Sequence, residues 1–512
     1  MQKKTAAIYD RWLSTLGGGE QVAFAYAQTL KDLGYTVTLL THKKVDVVEA
    51  ETKMGISLED IAIEYLMEAS SQTLSGISEK YDVFINTSHL DYFANRSKFG
   101  VLSVFFPGIL KLSVYEYLKR ALFVPSFRRL FIYPSRYEGF AYDQQIKGKI
   151  YKWLSKESSI VFKQRVKEFS ITLSFETLSL AVLDSIHFYF DDEEVHDYTR
   201  QIDKNSNVVV YTFSCPKLVQ KWTVKLPDNE YSERIALTSL TIPNIRYILY
   251  NLFKKAFPVW EMRLHGGPGI TRTSDLESYH KIVTISDFCK KWIKNYWSLE
   301  SDILYPPVNT ENFFSAKQKK NYILHVGRFF ITGHSKKQLE LVKIFKTMVG
   351  KYGLENWELH FVGSVEEGEN HHQYFNMVQK EAAGYPVQFH NKMSFDQLRE
   401  LFSEAKIYWH ATGLGEEEES NPVAFEHFGI TTVEAMASGC VPVVINAGGQ
   451  KEIVTPESGF CWETPKDLIA HTITLINDPE LLQKYSKQTV KRSTYFSREK
   501  FKERFTELLN KR

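Results

Sequence analysis

Two glutamates, Glu426 and Glu434, stand either side of a turn in the stretch NPVAFEHFGITTVEAMASGCVPVVINAGGQKEIV, Asn421 to Val454. The turn reads as the start of a helix, with Gly429 and Ile430 at its first positions. Free backbone N–H groups and the positive end of the helix dipole point outward there, which makes a seat for phosphate. Glu434 falls about one turn into that helix, where a carboxylate can accept from two ribose hydroxyls. Ala435, Ala437 and Gly439 are small and let the helix approach a sheet closely. The run VPVVIN then delivers Gly448 and Gly449 at the carboxyl end of a strand, the edge at which open α/β sheets bind ligands. The plainer reading, two acids on an exposed helix face, leaves this context unexplained.

The elements that must carry such a site are legible on both sides of it. Thr5 to Tyr9 reads as a strand, Gly17 to Gly19 as a tight turn, and Glu20 to Leu33 as a helix. YTVTLLT (Tyr35 to Thr41), YDVFINT (Tyr81 to Thr87) and VLSVFF (Val101 to Phe106) read as further buried strands. Strands alternating with helices predict parallel pairing in a doubly wound sheet. Tyr115 to Lys156 is basic and aromatic, and from about Phe169 to Thr241 the period drops to two in FSITLSF, SIHFYF, NVVVYTF, KWTVKL and RIALTSL. Alternating strands without helices predict an antiparallel, β-rich unit at about 160–242, inserted in the first domain. Helical spacing returns at Ile245 to Phe257, followed by a strand at Lys281 to Ser286 and a helix at Asp287 to Tyr296. The prolines of Tyr305-Pro306-Pro307-Val308-Asn309 stiffen a linker. A second alternating series begins at YILHVGRF from Tyr322, with strands at Glu358 to Val362, Val387 to His390, Ile407 to His410 and Val441 to Asn446. The expected organisation is an N-terminal domain over 1–310, a C-terminal domain over 311–495 and a closing helix over 496–512.

Bulk composition excludes several classes. A chain of 512 residues is too long for one ordinary core. Lys plus Arg is 63 and Asp plus Glu is 61, a balance of +2 that gives no reason to expect a nucleic-acid partner. Cys215, Cys289, Cys440 and Cys461 are far apart and form no CxxC pair, which argues against zinc and disulfides and fits a reducing, cytoplasmic setting. MQKKTAAIYDRW lacks the apolar core of a signal peptide, and no apolar stretch is long enough to span a bilayer. Aromatics reach 14%, which fits either an aromatic-rich core or contacts to sugar, lipid or a partner surface.

EHFGITTVEAM resembles the E-x7-E segment of retaining glycosyltransferases of family 4, and in particular lipid-linked-oligosaccharide mannosyltransferases. GRFFITGHSKK (Gly327 to Lys337) is similar to that family's cationic phosphate-binding segment, SDFCKKWIKNYWSLESDILYPPVN (Ser286 to Asn309) to its interdomain segment, and LGGGEQVAFAYAQTL to its first loop and helix. The resemblance covers roughly 1–108 and 260–510, and omits the β-rich insertion. It implies a GT-B fold, an α/β architecture of two Rossmann-like domains. It implies that Glu426, Arg328 and Lys336 carry the chemistry, with Glu426 on the donor hexose and the two cations on the diphosphate. Lys337 is the alternative to Lys336. Phe428, Gly429, Ile430 and Thr431 would line the sugar and phosphate, Glu434 would hold the ribose, and the loop from His390 through Asn391, Lys392 and Met393 would flank the base. Gly18 and Gly19 would let the first loop approach the diphosphate and acceptor.

Such a site works by stabilising a leaving nucleoside diphosphate with two cations and a helix N-terminus. Arg can grip phosphate in two places, whereas Lys acts as a point charge. No convincing DxD motif stands in the sequence, so no cofactor and no required metal are expected. The implied partners are a GDP- or UDP-linked sugar and a glycan or lipid-linked acceptor. GDP-mannose is the first candidate donor, beside UDP-glucose and UDP-N-acetylglucosamine. The rival reading is a catalytically inactive glycan-binding or scaffolding subunit; an epimerase shares the fold, and a phosphorylase would need a pyridoxal-phosphate lysine segment that the sequence lacks. His410, at a strand end near the donor cleft, is a further candidate donor contact, and His265, His89 and Asp91 are weaker candidates for the cleft. The basic aromatic stretch 115–133 is a candidate peripheral contact with the cytoplasmic membrane face. The acidic run Glu416 to Glu419 reads as a solvated loop.

Overall fold

The computed structural model describes residues 3–510, apart from 67–70, 111–125, 147–148, 177–179, 228–230, 232–233, 258–270, 332, 355 and 367–368. Its first sheet begins with strands β1 (Thr5–Tyr9), β2 (Thr36–Thr41), β3 (Ile61–Tyr65), β4 (Val83–Asn86) and β5 (Phe99–Val104). β4 and β5 are buried along their whole length, as strands covered by helices on both faces must be.

The chain then leaves this sheet for an antiparallel unit: β6 (Pro134–Ile146), β7 (Lys149–Phe175), β8 (His187–Phe190), β9 (Glu193–Val195), β10 (Tyr198–Asp203), β11 (Val208–Lys225) and β12 (Ile235–Thr241). The β-rich insertion is therefore real. It starts at Pro134, ahead of the position near 160 where strict alternation becomes readable. β6 pairs with the first part of β7 through several register shifts, and each shift breaks the period of two. Phe162, Phe169, Phe188, Tyr211, Phe213 and Trp222 fill the interior of this sheet. Much of the aromatic excess is thus core, held in edge-to-face and stacked pairs such as Phe169–Phe213 at 5.1 Å.

The chain returns to the first sheet with β13 (Lys281–Thr284) and β14 (Asp302–Ile303), completing a parallel order β14-β13-β5-β4-β1-β2-β3. The second parallel sheet contains β15 (Lys320–Val326), β16 (Glu358–Val362), β17 (Val387–His390), β18 (Ala405–His410), β19 (Val441–Ile445) and β20 (Phe460–Trp462) in the order β17-β16-β15-β18-β19-β20. A half-buried ammonium stitches its far side: Lys319 donates to the carbonyls of Ser403, Ala405 and Ser438, at the ends of the helices Phe395–Glu404 and Ile430–Ala437.

The chain passes between the two α/β units at two adjoining places. Val308 N–H donates to the Phe496 carbonyl at 2.9 Å, so the proline linker runs beside the return crossing. The closing helix Arg498–Asn510 then packs on the first unit, with Phe501 and Phe505 against Tyr26 at 5.1 and 4.7 Å and Lys502 paired with Asp32 at 2.8 Å. Arg498 donates to the carbonyls of Met54 and Gly55 at the end of another helix of that unit. Among the described residues no helix is long and apolar enough to cross a membrane.

Candidate functional site

The carboxyl ends of β15, β18 and β19 converge on one cluster. Glu426 lies in the loop that leads to the helix Ile430–Ala437, and its Oε2 accepts from Lys336 Nζ at 2.5 Å and from His410 Nε2–H at 3.0 Å. Burial pushes this carboxyl up, but the Lys336 cation and the His410 hydrogen bond outweigh it and hold Glu426 well below the usual carboxylate range. Burial pushes His410 down from its ordinary value, so the imidazole is neutral and donates from Nε2. His334 and His427, which sequence reasoning did not single out, flank the cluster with ring centroids 5.9 Å apart. Burial drives His427 down to about 3.

Local chain geometry explains why these side chains meet. Lys337 takes a left-handed backbone (φ 56°) at the start of the helix Gln338–Tyr352, which is uncommon for a residue with a Cβ. Its own amine donates to Glu416 at 2.6 Å, while that of the preceding Lys336 reaches Glu426. Lys336 lies across Gly327, where any Cβ would stand 2.7 Å from its Cγ. The helix start is fixed by Gly429 at φ 124°, a conformation open to glycine; a Cβ there would meet Gln450 Nε2 at 2.1 Å. Gln450, buried after the glycine pair, bonds Thr432 Oγ1 at 2.9 Å and the Phe428 carbonyl at 3.2 Å. Gly449 N–H donates to the Glu426 carbonyl at 2.7 Å, so the Gly448–Gly449 turn braces the loop that carries Glu426.

The remaining candidates fall into three sets. Near the cluster, Ile430 reaches across to the first loop: a Cβ on Gly18 would lie 2.8 Å from Ile430 Cδ1, and one on Gly19 would lie 3.2 Å from Phe105. Thr431 Oγ1 shares a 2.8 Å hydrogen bond with the Tyr408 hydroxyl. The carboxyl of Glu434, one turn into the helix, has no ion pair or hydrogen bond among the described residues, and burial pushes it up to about 7. The Phe428 ring faces away, against Tyr305 and Phe496 at the domain crossing, so only its backbone is available to a ligand.

Two sets stand apart. Arg328 is exposed and turned to Glu366 at 2.9 Å, rather than to Glu426. Asn391, Lys392 and Met393 follow the edge strand β17, two strands across from β15; Asn391 and Lys392 are exposed, and Met393 packs at the rim of the core behind the helix start. On the first sheet, Asp91 is buried and accepts from Arg11 Nε at 2.7 Å and from the Tyr9 hydroxyl at 2.5 Å. Burial pushes His89 down from its ordinary value. His265 lies outside the described residues, as does most of the 115–133 stretch. In its described part, Phe131 and Tyr133 point into the insertion core.

The acidic run is solvent-exposed at Glu417 and Glu419, as expected, but Glu416, Glu418 and Glu419 also engage cations. Glu416 pairs with Lys337, and Glu418 and Glu419 both pair with Lys291 at 2.7 Å, tying the interdomain helix Asp287–Trp297 to the donor-side loop. Glu452 makes a second tie: its carboxylate accepts from Asp287 N–H at 2.9 Å at the start of the same helix. Burial pushes Glu452 up to about 7. The run GGQKE after a predicted strand was the only signal that could have marked Gln450 and Glu452, and it does not say what they would touch.

Residues 309–492 match the family described as Glycosyl transferases group 1, a span that covers the second sheet and every residue of the Lys336–Glu426–His410 cluster. The chain has the GT-B fold. A glycosyltransferase from Rickettsia africae superposes with a TM-score of 0.52 at 12% identity, covering 99% of this chain and 98% of that one. Anabaena HepE, solved with UDP and glucose, superposes at 0.51 with 10% identity over 99% and 100% of the two chains. In sequence, a GDP-Man:Man(3)GlcNAc(2)-PP-Dol alpha-1,2-mannosyltransferase of Dictyostelium discoideum is 24% identical over 305 residues, 55% of this chain and 54% of the relative. The chain thus spans about half the length of the relatives it matches.

Proposed function

We propose that this chain is a glycosyltransferase that moves a hexosyl unit from a nucleoside-diphosphate sugar to a glycan or lipid-linked acceptor. We infer GDP-mannose as the first candidate donor, from the mannosyltransferase relatives, with retention at the anomeric carbon and no required metal. A lipid-linked acceptor would bring the enzyme to a membrane face.

The observation that carries this reading is the Lys336–Glu426–His410 cluster beside the amide-rich start of the helix Ile430–Ala437, with Gly18 of the other domain closing on Ile430. In the proposed reaction the bond between the anomeric carbon and the diphosphate oxygen breaks, and negative charge grows on the leaving group. Lys336 and the free N–H groups of the helix start are fixed beforehand around that charge, so little reorganisation is needed when it develops. Glu426, kept ionised by Lys336, accepts from hexose hydroxyls and orients the ring. Glu434 accepts from the ribose, and the loop at Asn391 to Met393 flanks the base. Arg328 exchanges its exposed Glu366 partner for a phosphate oxygen, at small cost because such surface pairs are worth about 0–1 kcal/mol. With retention, the acceptor hydroxyl attacks the face that the diphosphate leaves and passes its proton to a donor phosphate oxygen.

The test is transfer and nucleotide release by the purified full chain over a panel of GDP-mannose, UDP-glucose and UDP-N-acetylglucosamine, with and without EDTA. Product formation that survives EDTA and is lost in Glu426→Ala, while the variant still binds nucleotide, supports the reading. Normal transfer by Glu426→Ala removes its central role, and absence of transfer with every donor and acceptor class removes the enzyme reading.

A further inference from the structure

Arg328 and Lys336 can share one diphosphate only if two different elements present them at a fixed spacing. Arg328 follows β15, and Lys336 stands just before the helix Gln338–Tyr352. Lys336 has its own anchors, the ion pair with Glu426 at 2.5 Å and the left-handed turn at Lys337. Arg328 has none of that kind. Its guanidinium is exposed, pairs with Glu366 at 2.9 Å and lies over the Phe330 ring at 5.6 Å, contacts worth little in water. Whatever places Arg328 has to act on its backbone.

Gln338 does so. It is the first residue of the helix and 0% exposed, an uncommon place for a glutamine, whose amide is costly to bury unless it is hydrogen-bonded. Its Nε2 donates to the carbonyls of Gly327 at 3.3 Å and Arg328 at 3.1 Å. Its Oε1 accepts from the Tyr374 hydroxyl at 3.3 Å, and that hydroxyl accepts from Leu339 N–H at 3.3 Å. Carbonyls only accept, so the amide nitrogen faces them and the amide oxygen is left for Tyr374. Tyr374 comes from the helix Glu369–Ala382, and burial pushes its hydroxyl up to about 12, so it keeps the proton it donates. The turn is boxed in from another side by Gly363, where any Cβ would stand 2.2 Å from the Gly327 carbonyl oxygen. A side chain without a donor at position 338 would take this partner from two carbonyls of the turn and leave the turn free to shift.

We propose that Gln338 is a positioning residue: its amide, backed by Tyr374, sets the Arg328 backbone so that the guanidinium reaches the same diphosphate as Lys336. This role rests on the proposed nucleoside-diphosphate donor. Gln338 touches no substrate and acts only through Arg328.

The experiment is calorimetry of GDP and UDP binding to the full chain in a double-mutant cycle of Gln338→Met and Arg328→Ala. Methionine keeps the unbranched length of glutamine and removes the donor. Gln338→Met weakens binding of the nucleotide that the wild type takes by about tenfold, the value of one charge-assisted hydrogen bond held out of place. In the Arg328→Ala background the same substitution changes affinity by less than about twofold, because the residue it acts through is gone. Tyr374→Phe removes the donor behind the amide oxygen; it gives a smaller loss, about threefold, that also vanishes in the Arg328→Ala background, and it carries the test if Gln338→Met does not fold. A purely structural role would lower affinity equally in both backgrounds. That outcome, or wild-type affinity in the single variant, overturns the role of Gln338 and leaves the donor reading intact. A wild-type chain that binds neither GDP nor UDP overturns the donor reading, and the role of Gln338 falls with it.

Discussion

The two parallel sheets treat the charge at their carboxyl edges in opposite ways. At the edge of the first sheet, Asp91 receives both the Arg11 guanidinium and the Tyr9 hydroxyl, and that hydroxyl also lies 3.0 Å from His42 Nε2. Asp10 beside them accepts from Trp12 N–H and Thr87 Oγ1. The network is closed on itself. At the edge of the second sheet, Lys336 and His410 share one carboxylate, Glu434 stands without a partner among the described residues, and a helix start directs N–H groups into the cleft. The lesson is that a buried ion pair alone does not mark a site. A site also keeps donors and acceptors whose needs the fold leaves unmet, and the second edge has them.

The comparison breaks most sharply on substitution of its two ion pairs. Lys336→Ala is expected to lower transfer by about 10²–10³-fold, the effect of deleting one preorganised donor to a developing anion, with nucleotide release as the readout. Asp91→Ala is expected to act on the fold instead, costing about 3–5 kcal/mol in urea unfolding because Arg11 is left charged and largely buried. If Asp91→Ala cripples transfer while stability is unchanged, the first edge is a site as well, and the contrast drawn above is wrong.

Smaller effects sharpen the contrast. Arg328→Ala should change stability by less than about 1 kcal/mol, as for other exposed pairs, yet weaken nucleotide binding in calorimetry. Loss of stability without loss of binding would leave Arg328 a surface ion pair only. Glu434→Gln should weaken nucleotide binding about tenfold, the value of one good hydrogen bond to a charged acceptor. Wild-type affinity should also fall as pH drops below about 7, where Glu434 takes up its proton, and Glu434→Gln should remove the part of that dependence contributed by this group.

The weakest expected effect is on stability against pH. Asp10, Glu434 and Glu452 all sit at about 7 in the folded chain, above their ordinary values near 4. The folded state therefore holds protons that the unfolded chain has released, and these groups make stability fall as pH rises from about 4.5 to 7. Glu434→Gln and Glu452→Gln should each flatten that part of a melting-temperature profile. Unchanged profiles would mean that neither carboxyl is protonated in the folded chain.

Sequence by itself determined the alternation of strands and helices that makes two parallel sheets, because fully buried strands leave continuous apolar runs. It also marked the helix start at Gly429 and Ile430, since a glycine turn before an apolar helix is a local signal. The pairing of Lys336 with Glu426 and His410 was decided by the tertiary structure. The three residues come from the ends of different elements, and their meeting depends on strand order and on the left-handed backbone of Lys337. The same holds for the cations that Glu416, Glu418 and Glu419 engage from a run read as solvent-facing, and for Glu452 at the start of a helix from the other unit. The start of the insertion at Pro134 was hidden because register shifts erase the period of two on which strand reading rests. Local pattern specifies which face of an element is buried, whereas long-range packing specifies which charged group it meets, and no spacing along the chain encodes that second choice.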